Sequence, residues 1–424
     1  MDTPPIRHTR ASTPDEHSFT PFSRPDTPNT AKSTLSEESV SEACPRESVL
    51  RDFVLVVGGL GYIGSHTSWE LLKAGFNVII VDNLSNSFRI VRDRLEHLRM
   101  KYYESQAVQP ILDFYEADYR DQRTMRAIVS KYSTQPETHQ SQSSPSGSST
   151  ITGVIHFAAY KAVAESFQKP LDYYANNVTG MIDLCALLSE FHIKTLVFSS
   201  SATVYGELAN KGGRLLEEYC DSRSCRGLTN PYGRTKWMCE AILNDVAVSD
   251  PEWTIIALRY FNPIGCDESG MLGEDPRDTP NNLMPIVVKV MTGELPVLNV
   301  YGSDWDTADG TAIRDFVHVS DLARGHLAAL NAKEKLGRGF KTFNLGTGTG
   351  HSVKEIVASM ERVSGRTIPT NAVGRRDGDV AICMAEPSKS LISLGWTRQK
   401  TLDDCCRDIC RFLNLDVQSA EARS

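Results

Sequence analysis

Between residues 52 and 261, apolar runs of strand length alternate with stretches of helical spacing, and this alternation constrains the fold more than any other feature. The apolar runs cover residues 53–57, 78–81, 154–157, 196–198 and 255–258. Short continuous apolar runs are typical of parallel strands that are buried on both faces. Because each run is followed by a helical stretch, the sequence predicts an α/β fold built on a doubly wound parallel sheet.

A glycine-rich segment, Gly58-Gly59-Leu60-Gly61-Tyr62-Ile63-Gly64, directly follows the first apolar run and opens a helical stretch that extends through Ala74. Glycines here let the backbone turn tightly and approach a pyrophosphate, while the helix N-terminus offers unpaired N–H groups to the phosphates. Such a pattern alone has little specificity, but here it has the required strand before it and helix after it. The segment therefore predicts a Rossmann-type dinucleotide site.

Asp82 ends the second apolar run, 18 residues after Gly64. A carboxylate at this position accepts hydrogen bonds from both ribose hydroxyls and repels a 2′-phosphate. No Arg or Lys follows in Asn83-Leu84-Ser85. We therefore expect NAD rather than NADP, with a structural turn former at the strand end as the alternative interpretation of Asp82.

Changes in composition divide the chain into four parts. Residues 1–50 are rich in Pro, Ser, Thr, Asp and Glu and are predicted to be disordered, because they cannot bury enough apolar surface to offset the entropy of ordering. Residues 51–262 are predicted to form the NAD-binding domain, with a flexible Ser-rich insert at 135–150. After residue 262 the pattern is less regular, with helical stretches near 320–332 and 353–364. We expect residues 263–416 to form mainly a smaller substrate-binding lobe, followed by a tail at 417–424.

Tyr232 and Lys236 stand four residues apart at the start of a predicted helix that follows Asn230-Pro231, so they share one helix face. A free phenol has a pKa near 10. An adjacent ammonium lowers that pKa by roughly 1 to 3 units, and a cationic nicotinamide acts in the same direction. The pair therefore predicts a catalytic base, although this spacing alone is also common on ordinary surface helices.

Small hydroxyl side chains follow the apolar run at 196–198 and include Ser201 and Thr203. Ligands of doubly wound sheets bind beyond the carboxyl ends of the strands. We therefore expect Ser201 and Thr203 to hydrogen-bond a sugar hydroxyl.

The composition argues against several other classes of protein. The chain has 424 residues and a formal net charge of −8, which does not suit a protein that coats nucleic acid or an anionic membrane. No apolar run is long enough to span a bilayer and no signal-peptide core is present, so a cytoplasmic location is expected. The ten cysteines lack CxxC pairs and histidines at ligand spacing, so we expect reduced thiols and no metal site.

Residues 53 to about 415 resemble the UDP-glucose 4-epimerases of the extended short-chain dehydrogenase/reductase family. The motifs GGLGYIGSH, HFAAYKAV, SSSATVYG, NPYGRTK, LRYFNPIG, NNLMP and RDFVHVSDLA occur in the order found in that family. The resemblance implies reversible inversion at C4 of a UDP-hexose (UDP-glucose and UDP-galactose) through a 4-keto intermediate, with tightly bound NAD. It also implies a homodimer.

The resemblance further implies a role for individual residues. Tyr232 would be the catalytic acid/base, Lys236 would tune it and hold the nicotinamide ribose, and Ser201 would orient the sugar O4. NAD would contact Gly58, Gly61, Tyr62, Ile63, Gly64, Asp82, Asn83, Asn86, Asp118, Phe157, Lys161, Asn176, Tyr232, Lys236 and Tyr260. The UDP-sugar would contact Asn262, Asn282, Leu283, Arg314, Arg376 and Asp379. Both arginines are planar donors suited to a diphosphate, although either one alone is more often an ordinary ion pair.

Two alternative functions deserve comparison with epimerisation. Related sugar-nucleotide dehydratases and decarboxylases carry carboxylates just before the Val-Tyr-Gly of the SSSATVYG motif, where this chain has Ala202 and Thr203. Without those carboxylates, elimination of water or loss of carbon dioxide lacks its acid/base partner. A non-catalytic NAD-binding sensor or scaffold is the other alternative. The joint presence of Ser201, Tyr232 and Lys236 favours an enzyme.

Cys383 bears on substrate range. In the family that this chain resembles, members with a bulky Tyr at this position are confined to the glucose and galactose substrates. A smaller side chain such as that of Cys383 leaves room for an N-acetyl group. We therefore predict activity on UDP-GlcNAc and UDP-GalNAc as well, with a packed core cysteine as the alternative. Val57, Leu60, Tyr119 and Tyr160 differ from the residues usual in the family and are expected to affect cofactor affinity.

Overall fold

The computed structural model describes residues 52–133, 149–221, 227–277, 282–376 and 379–416. The predictions for residues 1–50, for most of the insert at 135–150 and for the tail at 417–424 lie outside the described residues. Within the described ranges the main element is a seven-stranded sheet, parallel throughout, in the order β11-β7-β5-β4-β1-β2-β3. Its strands are β1 Phe53–Val57, β2 Asn77–Asp82, β3 Leu112–Glu116, β4 Ile151–His156, β5 Thr195–Ser201, β7 Thr254–Tyr260 and β11 Gly339–Leu345. The predicted doubly wound α/β fold is confirmed.

Both faces of this sheet are buried, which explains the continuous apolar runs. Leu55 and Val57 of β1 belong to one core cluster, while Val54 and Val56 belong to another. Successive side chains of a strand point to opposite faces, so the two clusters lie on opposite sides of the sheet. The covering helices in the first part of the chain are α1 Tyr62–Lys73, α2 Ile90–Tyr102, α3 Gln122–Ser130, α4 Val163–Gln168, α5 Pro170–Tyr173, α6 Gly180–Glu190 and α7 Pro231–Ser249.

The later part of the chain also contributes to this sheet. Strand β11 pairs with β7 along its full length, and helix α9, Val319–Asn331, packs against α1. The sequence pattern indicated a helix near 320–332, but it did not indicate that the chain returns to complete the sheet. The edge strand β3 was also missed, because only Leu112 of its five residues is buried and its pattern is therefore mixed.

A second, smaller sheet follows the order β12-β10-β14-β6, and β8 pairs with β10. Its strands are β6 Arg214–Leu215, β8 Asn262–Ile264, β10 Ile313–His318, β12 Gly350–Ser352 and β14 Ile382–Ala385. Strands β9 Leu298–Tyr301 and β13 Thr370–Val373 form a separate pair. The remaining helices are α8 Leu283–Met291, α10 Lys333–Leu336, α11 Val353–Ser364, α12 Ser388–Leu394 and α13 Leu402–Phe412. The helix predicted near 353–364 is thus present as α11.

A third core cluster holds α8, α11 and α13 against the strands of the smaller sheets. Val287, Val300, Phe316, Ile356 and Ile409 are representative members. Cys405, Cys406 and Cys410 of α13 are free thiols packed in this cluster, so their role here is that of small apolar side chains.

Candidate active site

A cavity of about 360 Å³ lies at the carboxyl ends of the parallel strands of the main sheet. Ligands of doubly wound sheets bind at this edge. Of the residues expected to hold NAD, the cavity is lined by Gly58, Gly61, Tyr62, Ile63, Gly64, Asp82, Asn83, Asn86, Phe157, Lys161, Asn176, Tyr232, Lys236 and Tyr260. Of those expected to hold the sugar nucleotide, it is lined by Ser201, Thr203, Asn262 and Asn282. One cavity therefore brings together most of the residues that the sequence singled out.

The glycine loop after β1 requires glycine at two positions. Gly58 has φ +78°, and a Cβ atom there would lie 2.7 Å from the backbone nitrogen of Ala158. A Cβ on Gly64 would overlap the carbonyl of Gly58, so this glycine allows α1 to begin directly against the loop. The N-cap, Gly61, has no capping side chain, and the first turn of α1 has no acidic residue. The helix N-terminus therefore keeps its N–H groups and its positive dipole end for an anion.

Asp82 ends β2 at the wall of this cavity. Its Oδ2 accepts a hydrogen bond from the backbone nitrogen of Leu60 at 3.0 Å, which ties it to the glycine loop. Its Oδ1 accepts from the backbone nitrogen of Leu84 at 2.9 Å and from the Ser87 hydroxyl at 2.8 Å. The carboxylate is thus oriented by its neighbours at the position where a ribose-binding group is expected.

Asp118 is not among the residues that line the cavity. Its carboxylate accepts hydrogen bonds from Arg120, which holds the pKa of Asp118 below its usual range. The side chain of Asn83, which does line the cavity, donates to Asp118 at 3.4 Å. The expected contact between Asp118 and NAD therefore stays a prediction. In this structure Asp118 helps to position Asn83, which lines the cavity.

A π-helical segment, Tyr174–Thr179, precedes α6 and brings two asparagines to the site. Asn176 lines the cavity, and Asn177 connects three elements around it. Asn177 accepts from the backbone nitrogen of Tyr160 at 2.9 Å and donates to the hydroxyl of Thr235 at 3.0 Å. Interruptions of this kind in α-helices are frequent at functional sites. Here the π-helical segment, through Asn177, connects Tyr160 in the cavity wall to Thr235 in the first turns of α7.

Tyr232 lies in the first turn of α7, whose N-cap Asn230 accepts a hydrogen bond from the backbone nitrogen of Gly233 at 2.7 Å. Its side chain lines the cavity, yet only 8% of the residue is exposed. Burial raises the pKa of Tyr232 to about 12, and a hydrogen bond with Ser201 partly opposes that rise. The lowered phenol pKa expected from the sequence includes the charge of a bound nicotinamide, so for the complex with NAD it stays a prediction.

Lys236, one turn after Tyr232, bonds to the main sheet. Its Nζ donates to the backbone carbonyl of Ser199 at 2.7 Å and lies 6.0 Å from the centre of the Tyr232 ring. Burial also lowers the pKa of Lys236 to about 8, since the charged ammonium loses water. The two side chains share one helix face, as predicted, and burial is the main cause of the pKa shift in each.

Glu240 and Arg259, two residues that the sequence did not single out, hold α7 against the sheet. The pair is almost fully buried, and a hydrogen bond from the Ser200 hydroxyl to Glu240 adds a contact to β5. Glu240 lies one turn after Lys236 on α7. The four-residue spacing between Lys236 and Glu240 could have indicated that both lie on the same face of α7. Nothing in the local sequence indicated that the partner of Glu240 would be Arg259 on β7.

Two hydroxyl side chains line the cavity at the end of β5 and just after it. Ser201 ends β5, and its hydroxyl accepts from the backbone nitrogen of Thr203 at 3.2 Å. The hydroxyl of Thr203 is buried at the cavity wall and has no hydrogen-bond partner among the described residues. A buried hydroxyl without a partner is costly unless a ligand satisfies it, so this geometry suits a hydroxylated substrate.

The expected UDP-binding residues form a second group. Leu283, Arg314, Arg376, Asp379 and Cys383 are not among the residues lining the cavity. Asn262 connects this group to the cavity, since its side chain donates to the backbone carbonyl of Asp315 at 3.0 Å, next to Arg314. Arg314 donates to Asp379 at 2.6 Å, so the two residues are paired with each other in this structure.

Arg376 has an aromatic neighbour that the sequence did not single out. Its guanidinium lies 3.6 Å from the centre of the Tyr301 ring at the end of β9. An aromatic face fixes the plane of an arginine while leaving its N–H donors available. Tyr301 therefore fixes the plane of the Arg376 guanidinium, and the expected contact of Arg376 with the sugar nucleotide stays a prediction.

Cys383 lies beside Arg314, because these two residues are in register between β14 and β10. It packs against a small cluster that includes Val204, Tyr205 and Phe261. It thus stands between the predicted diphosphate site and the segment that follows Ser201. Cys383 is only partly buried, and burial raises the pKa of its thiol to about 11.

Among the described residues, no group of three or more His, Cys, Asp or Glu side chains is placed to hold a metal ion. None of the helices in the described ranges is both long enough and apolar enough to cross a membrane.

Comparisons with known proteins agree with this geometry. Residues 54–346, more than half of the chain, match the model of the NAD dependent epimerase/dehydratase family. A UDP-glucose 4-epimerase of Homo sapiens is 46% identical over 359 residues, which are 85% of this chain and 95% of that protein. A UDP-glucose 4-epimerase of Dictyostelium discoideum is 44% identical over 365 residues, covering 86% of this chain and 96% of that protein.

A solved structure is similar over the same length. The crystal structure of UDP-glucose 4-epimerase from Bifidobacterium longum, in complex with NAD+ and UDP, superposes with a TM-score of 0.74 at 41% identity. The match covers 85% of this chain and 98% of that one. The architecture described above is therefore shared over nearly the whole of that protein.

Proposed function

Because the chain belongs to the NAD dependent epimerase/dehydratase family, we propose that it catalyses the reversible inversion of the C4 hydroxyl of UDP-glucose and UDP-galactose, with NAD as its cofactor. The observation that carries this proposal is the single cavity lined by the glycine loop, by Asp82 and by the Ser201–Tyr232–Lys236 group. A dinucleotide site and an acid/base group within one cavity are what such a reaction requires.

The residues of the cavity fit NAD. Gly58 and Gly64 leave space that a Cβ would fill, and the uncapped N-terminus of α1 offers N–H groups to a pyrophosphate. Asp82 offers carboxylate oxygens to a ribose at the position where a 2′-phosphate would be repelled. Bound there, NAD would supply the hydride acceptor and donor that inversion at C4 requires.

Tyr232 accepts the proton of the sugar O4 and later returns it, so that the substrate passes through a 4-keto sugar without net oxidation. Ser201, hydrogen-bonded to Tyr232, orients O4 toward the phenol. Since burial alone raises the phenol pKa, a positive charge at the site has to favour the ionised form. The Lys236 ammonium, with its pKa near 8, is largely charged at neutral pH and contributes to that charge.

The sugar has to turn over while the UDP portion stays anchored, because the hydride returns to the other face. Arg314 and Arg376 supply the positive charge that the acidic chain otherwise lacks. Their pairing with Asp379 and stacking on Tyr301 hold both guanidinium groups in place. In this proposal the binding energy comes from the non-reacting nucleotide, which leaves the hexose free to present either face.

A wider substrate range is proposed from Cys383. This small side chain stands beside Arg314 and near the segment after Ser201, at a position where the resemblance places a bulky Tyr in members confined to glucose and galactose. We propose that the space it leaves admits the N-acetyl group of UDP-GlcNAc and UDP-GalNAc.

The active form is proposed to be a homodimer. Three apolar side chains on α4 and α5 are strongly exposed, Val163, Phe167 and Leu171, and Leu171 is 79% exposed. Such a patch is more typical of an interface than of a monomer surface. Sedimentation equilibrium of the wild-type protein and of a Phe167→Asp, Leu171→Asp variant tests this, with a change from dimer to monomer expected.

The cytoplasmic location stays a prediction, to be checked by fractionation.

One assay tests the reaction itself. Purified protein loaded with NAD is given UDP-galactose, and formation of UDP-glucose is followed. Tyr232→Phe is expected to lower kcat by at least roughly 100-fold, because a positioned proton-transfer group contributes about that much or more. Retention of NAD by the variant would show that its site is intact. If wild type binds NAD and UDP-galactose without forming UDP-glucose, the non-catalytic binder is the better description.

A further inference from the structure

The segment Gly273–Arg277 contributes to the wall of the cavity. Gly273, Glu274, Asp275 and Pro276 line the cavity together with Ser87 and Phe88, which belong to the loop after β2. A dinucleotide held by the glycine loop and Asp82 would occupy the cavity that this segment helps to enclose.

Arg277 fastens the end of the segment to the loop after β2. Its Nε donates to the backbone carbonyl of Ser87 at 2.8 Å, and its guanidinium lies 4.3 Å from the centre of the Phe88 ring. Its backbone nitrogen donates to the side-chain oxygen of Asn86 at 3.2 Å. Three contacts from one residue thus join parts of the chain that are 190 residues apart.

This contact leads directly to the ribose-binding carboxylate. Ser87, whose carbonyl accepts from Arg277, donates its own hydroxyl to Asp82 at 2.8 Å. Asp82 in turn accepts from the backbone nitrogen of Leu60 in the glycine loop. Opening the segment at Arg277 would therefore disturb the loop that orients Asp82.

The other end of the segment contacts further residues of the cavity wall. Glu274 lies 3.6 Å from Lys161, and the side chain of Asn282 donates to Glu274 at 3.4 Å. The ion pair is worth little by itself, because Lys161 is about half exposed. The segment is thus held to residues that line the cavity near both of its ends.

We propose that Arg277 is a cofactor-retaining residue, which holds Gly273–Arg277 in the wall of the cavity and thereby limits the rate at which NAD leaves the protein. The inference rests on the proposed function only in taking NAD to be the occupant. Arg277 contacts the protein and not the reacting atoms, so it is a positioning residue. Slow loss of NAD suits a reaction in which the cofactor is regenerated within each turnover and has no need to exchange.

The test measures exchange of NAD directly. Wild-type holoenzyme carrying isotopically labelled NAD is mixed with excess unlabelled NAD, and the label that stays with the protein is followed over time. We expect the Arg277→Ala protein to exchange NAD roughly tenfold faster, because it loses a charged hydrogen bond and a cation–π contact. Phe88→Leu, which removes only the ring, should exchange at an intermediate rate.

Arg89→Ala is the matched control. Arg89 lies in the same loop, but it pairs with Glu116, which does not line the cavity. Its removal should leave the exchange rate at the wild-type value. Unfolding temperatures are measured in saturating NAD, where the Arg277→Ala midpoint should match wild type. A general loss of structure would lower it.

Exchange by Arg277→Ala at the wild-type rate, or equal acceleration by Arg89→Ala, would overturn the inference. Failure of NAD as the cofactor gives a different result, since wild-type protein would then retain no labelled NAD at all. Normal exchange behaviour together with no formation of UDP-glucose would leave Arg277 in its retaining role and reject the epimerase reaction.

Discussion

Arg259 of β7 meets Glu240 of α7 through two parallel hydrogen bonds in the interior of the protein. The Nε–Oε1 distance is 3.0 Å and the Nη2–Oε2 distance is 2.6 Å. The remaining donors of Arg259 are satisfied by the backbone carbonyls of Glu217 and Cys220 and by the Tyr205 hydroxyl. The pair joins the helix that carries Tyr232 and Lys236 to the strand beside β5, so the geometry of the site depends on it.

Glu240→Gln is expected to lower the free energy of unfolding by about 3 to 5 kcal/mol, because it leaves the buried Arg259 charge without a counter-charge. Urea unfolding monitored by circular dichroism in saturating NAD measures this loss. Glu190→Gln, which breaks the exposed pair with Arg126, is the matched control and should change stability little. Equal effects of the two substitutions would contradict the proposed role of the buried pair.

Three buried histidines predict loss of stability in acid. Burial lowers the pKa of His156 to about 3, and burial lowers those of His66 and His326 to about 4. Between pH 6.5 and about 4 the unfolded chain therefore binds protons that the folded protein does not. The free energy of unfolding should fall as pH drops through this window, by up to about 1.4 kcal/mol per pH unit for each histidine.

Denaturant unfolding at several pH values between 7 and 4.5 gives the slope of the free energy of unfolding against pH. His326→Gln should reduce the slope by the contribution of about one proton taken up on unfolding, whatever its effect on absolute stability. His97→Gln, a change on the exposed face of α2, should leave the slope unchanged. An unaltered slope in His326→Gln would refute the assignment for that residue.

Gly64→Ala is expected to weaken NAD binding at least tenfold. The added methyl group would overlap the Gly58 carbonyl, so the loop or the start of α1 has to shift, and overpacking of this kind typically costs about 1 to 3 kcal/mol. Isothermal titration of cofactor-depleted protein with NAD measures the change. Gly374→Ala is the control, because a Cβ there meets nothing within 4 Å. Normal NAD affinity in Gly64→Ala would show that the loop is more tolerant than its geometry indicates.

Cys383→Tyr is expected to separate the two substrate classes. A bulky ring beside Arg314 should lower kcat/KM for UDP-GlcNAc by roughly 100-fold and leave conversion of UDP-galactose within a few fold of wild type. Both activities are measured by chromatography of the nucleotide sugars at equilibrium and at early times. Cys383→Ser, which keeps the size, should retain both. Absence of UDP-GlcNAc conversion in the wild type would reject the broader substrate range.

The sequence predicted those parts of the structure that depend on local pattern. The apolar runs mark β1, β2, β4, β5 and β7, because strands buried on both faces need such side chains. The glycine loop and the Tyr232–Lys236 spacing were recognisable because their geometry is set within a few residues. Both belong to the same cavity in the structure.

Other features depend on contacts between distant parts of the chain and could not be predicted. Arg277 meets Ser87 across 190 residues, and no local pattern marks either partner. The sequence did not indicate that burial raises the pKa of Tyr232 in the protein alone, or that Lys236 donates to the backbone carbonyl of Ser199. Electrostatic detail of this kind follows from packing, which a linear motif does not specify.

Strand β11 is hydrogen-bonded to β7 from Gly339↔Thr254 to Leu345↔Tyr260, so the last strand of the main sheet comes from late in the chain. During synthesis, the ribosome has to add some eighty further residues after β7 before that edge can be covered. Until then, an apolar strand with unpaired N–H and C=O groups is open to association with other chains. The nascent protein is therefore expected to need protection by chaperones at this stage, and a product truncated after residue 262 should aggregate rather than fold into a separate cofactor-binding unit.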